Sequence, residues 1–158
     1  MKEPIYGFQG EYRWLSNFWE FDNPMKAQGI LYPTVEHFYV AMKTQQISER
    51  EYIARLPLFS NKSSGVVGVK KYGQNIVVRS DWDDIKVDAM EFALRYKFSD
   101  KNPRLLDKLV ATGTRDIIEA NRWNDTFWGV DEFTGFGQNI LGNLIMKIRK
   151  EITDGNTV

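Results

Sequence analysis

Tyr32-Pro33-Thr34-Val35-Glu36-His37-Phe38-Tyr39-Val40-Ala41-Met42-Lys43 is the stretch on which the reading of this chain turns. Pro33 suits the first position of a helix, and from there Val35, Phe38, Tyr39 and Met42 recur at the i, i+3, i+4, i+7 spacing of a core-facing stripe. The spacing predicts a helix over 33–46. Glu36 and Lys43 lie off the stripe. Nearly two turns apart, they project from one face flanking the buried one, where the edge of a pocket would suit them. A second explanation stands beside this one: acids favour the start of a helix and bases its end, whatever the function.

Upstream lies an aromatic-rich run containing Leu15-Ser16-Asn17-Phe18, with Tyr6, Phe8, Tyr12, Trp14, Trp19 and Phe21 around it. Most of these rings are expected in the core. Mixed with small polar residues, they could also wall a pocket for a flat base, because ring faces stack while polar groups orient a ligand. Extended pieces are expected near 4–8, 18–22 and 28–31, with Asn23-Pro24 and Gly29 as turn signals.

Downstream, Ser48–Leu56 reads as a second helix, and Ser63–Tyr72 as a short one capped by serine and ended by Gly73, with Ile76–Arg79 extended after it. A longer helix is expected over Trp82–Phe98, capped by Asp81 and burying Val87, Met90, Leu94 and Phe98. Lys97 is its odd residue, and two explanations stay open: a stem that covers core, or a pocket cation. Another helix runs from Asn102-Pro103 to near Gly113, and the last one over 138–151 buries Leu141, Leu144, Ile145 and Ile148. Between them lies an irregular polar-aromatic loop, Asn121 to Gly129, of the kind that often carries function. The expectation is an α+β fold, mainly helical, with a small antiparallel element near the N-terminus. Residues 1–153 form one domain in this reading, and 154–158 a frayed tail.

With 158 residues and 42% hydrophobic content, the chain is long enough for a real core and short for two. Its 21 basic and 21 acidic residues give no global charge to drive it onto nucleic acid or a membrane surface, so any nucleic-acid contact would be local, for example through Lys62, Lys70, Lys71 and Arg79. The absence of cysteine excludes disulfides and thiol nucleophiles, and the single histidine argues against a multi-histidine metal site. Asp81-Trp82-Asp83-Asp84 places its acids where a cap and a helix dipole want them, not at calcium-loop spacing. No apolar run approaches the ~20 residues of a membrane helix, and Lys2-Glu3-Pro4 does not begin a secretory signal, so the expected setting is the cytoplasm.

The run from Trp14 to Lys43 resembles the NADAR family, also called YbiA-like, whose pattern reads roughly Leu/Phe-Ser-Asn-Phe, then Thr-x-Glu-His and a downstream Lys. Later matches are Lys97-Phe98, Thr112-Gly113, Ile118-Glu119, Asp125-Thr126-Phe127-Trp128-Gly129, and Gly137-x-Asn139-x-Leu141-Gly142 with Met146 and Arg149. Each is weak alone, but their number and order span nearly the whole chain. The resemblance implies cleavage of N-glycosidic bonds in ribosylated bases, including ADP-ribose on guanine and phosphoribosylated pyrimidine intermediates of riboflavin synthesis. Neither a cofactor nor a metal is implied. Expected partners are an ADP-ribosylated base or ribosylated nucleotide, with DNA carrying ADP-ribosyl-guanine among them, and no membrane.

The resemblance also assigns roles. Glu36 is the leading catalytic carboxylate, Asp125 its partner and Glu119 a less direct one. Lys43 would stabilise ribose or phosphate, or attack an opened sugar aldehyde as a Schiff-base amine. Ser16, Asn17, Phe18, His37, Trp82, Lys97, Trp128, Gly129 and Asn139 form the expected substrate-binding set; core packing is the alternative for Trp82, and a solvated acidic loop the alternative for Glu119 and Asp125. The chain departs from the family pattern at Val40, where glutamine is common, and at Gly73-Gln74, where Gly-Arg is common, which removes a guanidinium fork suited to phosphate. A module that binds ADP-ribose without cleaving it is the alternative from another class.

Overall fold

The computed structural model describes residues 2–155. In chain order they form β1 (Ile5–Tyr6), a 3₁₀ turn (Gly10–Leu15), β2 (Glu20–Ala27), β3 (Ile30–Thr34), α1 (Val35–Ala41), α2 (Ile47–Ala54), α3 (Val69–Asn75), α4 (Trp82–Lys97), α5 (Pro103–Ala111), β4 (Ile117–Ile118), β5 (Ala120–Asn121), β6 (Val130–Asp131) and α6 (Ile140–Thr153). The expected α+β class is found, 44% helical against 16% strand. The residues group into a central unit, Asn17–Tyr96, and a terminal unit made of the segments up to Ser16 and from Lys97 onward.

In the central unit β2 and β3 pair antiparallel, with a register shift between Glu20 and Met25 near Asn23-Pro24, where proline has no N–H to offer a ladder. Gln28 and Gly29 make the turn, both with positive φ. Pro33 belongs to β3 and does not open the helix as expected. Thr34 is the N-cap, and its side chain accepts the His37 N–H. Hydroxyl capping decides the boundary, since a side-chain oxygen satisfies an amide that proline's ring would leave unserved. The helix also stops earlier than its apolar spacing suggests. Met42 is the C-cap and Lys43 N–H bonds back to the Val40 carbonyl, a tighter turn, so Lys43 follows the helix instead of lying on it.

Val35, Phe38, Val40 and Ala41 of α1 are buried with Tyr32, Ile53, Met90 and Leu94. Phe38 meets Tyr32 edge-on at 5.5 Å and stacks on Phe92 at 5.5 Å. Fully buried Val35, Val40, Ile53, Met90 and Leu94 each contribute about 1.5–3 kcal/mol by leaving water. The middle short helix is displaced from expectation: it begins after Gly68 and contains Gly73 in its interior. The reason is contact. A Cβ on Gly73 would come within 2.7 Å of one Val40 methyl and 2.9 Å of the other, so α1 and α3 approach through a missing side chain. Residues 77–79, expected as extended chain, join no sheet. Asp81 precedes α4 as expected, with its carboxylate held by Arg79 at 2.6 and 3.0 Å.

In the terminal unit β1 runs parallel to β4 and β5 parallel to β6, pairings that two-residue strands give no periodicity to announce. Leu105 and Leu109 of α5 and Leu141, Leu144, Ile145 and Ile148 of α6 are buried. Gly142 lies against the Ile117 carbonyl, an approach that no Cβ would permit. Buried Arg149 donates to Thr112 Oγ1 at 2.9 Å. Of the expected tail, Asp154 and Gly155 form a turn, and 156–158 lie outside the described residues. No helix among the described residues is long and apolar enough to cross a membrane.

The Val40–Gly73 contact makes a prediction. Gly73→Ala is expected to destabilise the protein by about 1–3 kcal/mol through overpacking. In a Val40→Ala background the same change should be neutral or favourable, since alanine is the better helix former by about 1 kcal/mol. Urea unfolding of the four proteins checks it; additive effects would refute the contact's role.

Candidate active site

His37 shows how the first turn of α1 is held. It is buried, its backbone N–H reaches Thr34 Oγ1 at 3.1 Å, its Nδ1 lies 2.7 Å from the same oxygen, and its Nε2 lies 2.8 Å from the Leu56 carbonyl. A carbonyl only accepts, so Nε2 carries the proton and Nδ1 accepts from the threonine hydroxyl. Both ring nitrogens are thus committed within the protein. Burial is the main cause that holds the imidazole below its ordinary value, against smaller upward effects from the Leu56 bond and Glu20.

Glu36 stands next to it, with its backbone N–H donated to the Asn17 carbonyl at 3.1 Å. The loop of the Ser-Asn-Phe sequence therefore satisfies one of the helix's unpaired first amides. Asn17 gives Nδ2 to Met90 Sδ at 3.7 Å, while its Oδ1 is buried without a protein partner. Such an acceptor calls for an explanation, because leaving it unpaired costs about 1–3 kcal/mol. Phe18 packs on Phe59 at 5.7 Å.

At the other end of α1, Lys43 Nζ donates to the Gly73 carbonyl at 3.0 Å and lies 5.7 Å from the Tyr39 ring centroid and 5.9 Å from that of Trp82. The two rings are 5.0 Å apart, inclined at 60°. Burial lowers the Lys43 pKa, and the Glu36 carboxylate works in the opposite direction. Carboxylate and amine therefore feel one another, and the amine is bracketed by two aromatic faces. Of the expected residues, the central unit brings Glu36, Lys43 and Trp82 into this group. Tyr39 joins it; its i+4 spacing from Val35 had placed it in the core stripe, and only its half-burial distinguishes it.

The terminal unit gathers the later expected residues differently. Asp125 Oδ1 accepts the Phe127 and Trp128 amides at 3.2 and 2.9 Å. Glu119, largely buried, takes Asn121 Nδ2 at 2.8 Å on Oε2, and the same amide nitrogen reaches the Asp125 carbonyl at 2.9 Å. Asn139 has a left-handed backbone, φ 52°; its Oδ1 accepts the Glu119 amide at 2.9 Å and its Nδ2 donates to the Ile117 carbonyl at 3.0 Å. Gly129 sits against Glu119 so tightly that any side chain would collide with it. Trp128 meets Phe127 edge-on at 4.9 Å. The carbonyls of Thr126, Phe127, Trp128 and Gly129 accept the amides of Gln138, Ile140, Leu141 and Asn139. That loop caps α6.

Lys97 is fully buried, with Nζ donated to the Ser16 carbonyl at 2.8 Å and 5.3 Å from the Phe98 ring. Its ammonium does not reach solvent, as a snorkelling side chain's would. Burial pushes its pKa down to about 7.

The NADAR domain family model matches residues 6–153. The chain belongs to the NADAR family. It is 31% identical over 156 residues to a riboflavin biosynthesis protein of Vibrio vulnificus (strain YJ016), covering 98% of this chain and 40% of that longer protein. It is 34% identical over 150 residues to the N-glycosidase YbiA of Shigella boydii serotype 4 (strain Sb227), covering 94% of this chain and 86% of that one. The NMR structure of the E. coli protein YbiA superposes with a TM-score of 0.75 at 31% identity, over 98% of this chain and 88% of that chain.

Two titrations in this NADAR chain have opposite homes on the pH axis. Between its ordinary 6.5 and its lowered folded value, His37 is protonated more readily in the unfolded chain, so stability falls as pH drops below about 6.5. Lys97, at about 7 when folded against 10.5 unfolded, makes stability fall as pH drops from 10.5 toward 7. Urea midpoints across pH should show both limbs, with His37→Gln flattening the acidic one and Lys97→Met the alkaline one. An unchanged alkaline limb in Lys97→Met would overturn the assignment.

Proposed function

We propose that the chain is an N-glycosidase that hydrolyses the ribose-to-base bond of ADP-ribosylated substrates in the cytoplasm, with ADP-ribose on guanine in nucleic acid as the leading case. The observation that carries this is the group around α1: a carboxylate in its first turn and, just past its C-cap, a partly desolvated amine framed by Tyr39 and Trp82. The names of the YbiA relatives support the reaction class. Breaking the bond between C1 and a base nitrogen leaves the electron pair on the base and positive charge on the sugar. An ionised Glu36 stabilises that charge while water adds to C1 and a proton passes to the departing nitrogen. The names of riboflavin-pathway relatives favour a second substrate, a phosphoribosylated aminopyrimidine, cleaved by the same chemistry.

Lys43 has two roles open to it. Its lowered pKa enlarges the fraction present as free amine, which suits attack on an opened sugar aldehyde, while its charged form would stabilise ribose or phosphate. Asp125 is proposed as a second acid. Asp125→Asn keeps an acceptor for the Phe127 and Trp128 amides, so it is expected to lower turnover while leaving Tm in place.

Base release, followed by chromatography and mass spectrometry without added metal, tests the whole reading on ADP-ribosyl-guanine DNA and on phosphoribosylaminopyrimidine. Wild type should free a base from one of them, and Glu36→Gln should be slower by about 10²–10⁴-fold with affinity retained. Affinity for ADP-ribose with no turnover in wild type would make the protein a binding module. Borohydride during turnover separates the lysine's roles: a reduced adduct on Lys43 establishes the imine, and an inactive Lys43→Met without any adduct in wild type establishes electrostatic stabilisation.

A further inference from the structure

The turn between β2 and β3 carries a residue that its shape does not favour. Ala27 pairs with Ile30, so Gln28 and Gly29 form a two-residue hairpin loop, with φ 53° and 80°. Such a loop prefers asparagine, aspartate or glycine at its first position, where the backbone is left-handed. Gln28 is exposed, so core packing does not account for it either. Its hydrogen bond does. Gln28 Oε1 accepts from Arg50 Nη1 at 2.7 Å, a reach of which asparagine, one methylene shorter, falls short from the same backbone.

Arg50 is itself unusual. It is 6% exposed, and its hydrogen-bond partners are neutral oxygens: Gln28 Oε1 and, from Nε at 2.8 Å, the Thr44 carbonyl. A guanidinium that has left water for neutral partners depends on those bonds for its place. Gln28 grips one nitrogen of the planar fork, and another nitrogen of the same plane grips Thr44, so setting the first sets the second. Beside the Gln28–Arg50 bond lies a cleft of about 380 Å³, lined by residues 29–31 with Glu51, Ala54 and Arg55. The hydrogen bond therefore spans a seam between hairpin and α2 that packing leaves open.

Thr44 follows Lys43. The Lys43 amide donates to the Val40 carbonyl at 3.1 Å, the Lys43 carbonyl accepts the Arg79 amide at 2.9 Å, and Thr44 Oγ1 accepts the Gln46 amide at 3.2 Å. The turn that carries Lys43 out of α1 is thus held at successive atoms. Its hold at the Thr44 carbonyl is the one that depends on a side chain from α2.

We infer that Arg50 and Gln28 are positioning residues for Lys43: the hairpin turn fixes the guanidinium, the guanidinium fixes the Thr44 carbonyl, and that carbonyl fixes the turn from which the Lys43 side chain reaches the Gly73 carbonyl. The unfavoured backbone at Gln28 is kept because it delivers this side chain. Both residues act through Lys43, without contact to the substrate. That Lys43 takes part in bond cleavage rests on the N-glycosidase reading; that Arg50 and Gln28 hold it does not.

Three variants test the relay. Gln28→Gly and Gln28→Asn suit the turn and lose the contact with Arg50, while Gln28→Glu keeps an acceptor oxygen at the same reach. Thermal unfolding shows that each is folded. Titration of the Lys43 ammonium by nitrogen NMR, assigned with Lys43→Met, then reads its surroundings without turnover. In wild type it should titrate below 10.5, as burial requires. In Gln28→Gly and Gln28→Asn the amine gains water and should titrate closer to 10.5, and Gln28→Glu should return it toward wild type. Base release should slow by about 10–100-fold in the first two, through kcat, and recover in Gln28→Glu. A folded Gln28→Gly or Gln28→Asn in which Lys43 titrates as in wild type overturns the inference, as does a Gln28→Glu indistinguishable from Gln28→Gly. If wild type releases no base at all, the N-glycosidase reading fails and the titrations alone decide the positioning role.

Discussion

A buried, neutral imidazole holds the candidate catalytic helix in place. His37 receives the Thr34 hydroxyl on one nitrogen, gives its proton to the Leu56 carbonyl on the other, and feeds its own amide back to Thr34. Cap, first turn and the chain leaving α2 are thereby one hydrogen-bonded assembly in a place where water would compete poorly. Glu36 inherits its position from that assembly as the residue beside His37. At the far end the helix closes early, and Lys43 leaves it in a tight turn toward the Gly73 carbonyl.

In the terminal unit the same residue types hold the backbone together. Asp125, Asn121, Asn139 and Gly129 serve main-chain atoms and close approaches, so the Trp-Gly loop is built as a cap whose shape is set by backbone pairing. An acid or an amide in a family motif can thus be kept in place by the architecture of its loop, independently of any chemistry it performs.

Much of the helical framework was legible in the sequence, because α4, α5 and α6 carry their apolar residues at helical spacing over enough turns to outweigh local ambiguity. The boundaries at Pro33 and Gly73 were not. Both residues are permitted in more than one setting, and tertiary context decided: a threonine cap in the first case, the Val40 methyls in the second. The parallel pairs of β1 with β4 and β5 with β6 are too short for any period. For the candidate site, Glu36 and Lys43 stood out by lying off the apolar stripe, and Tyr39 was hidden by lying on it. The binding role of His37 was expected from its neighbours in the motif; the hydrogen bonds it makes depend on Leu56, nineteen residues away, which spacing alone does not connect to it.

The α6 cap has a consequence for motion. The first amides of most helices are served by a side chain or by water, and they trade hydrogen with solvent as the end frays. Here Gln138 through Leu141 give theirs to four successive carbonyls of the 126–129 loop, and Val130 beyond it gives its own to Glu119. Those protons can exchange only when the loop lifts as a body, so the loop and the start of α6 form one cooperative opening unit, slower to exchange than an exposed loop or a fraying helix end.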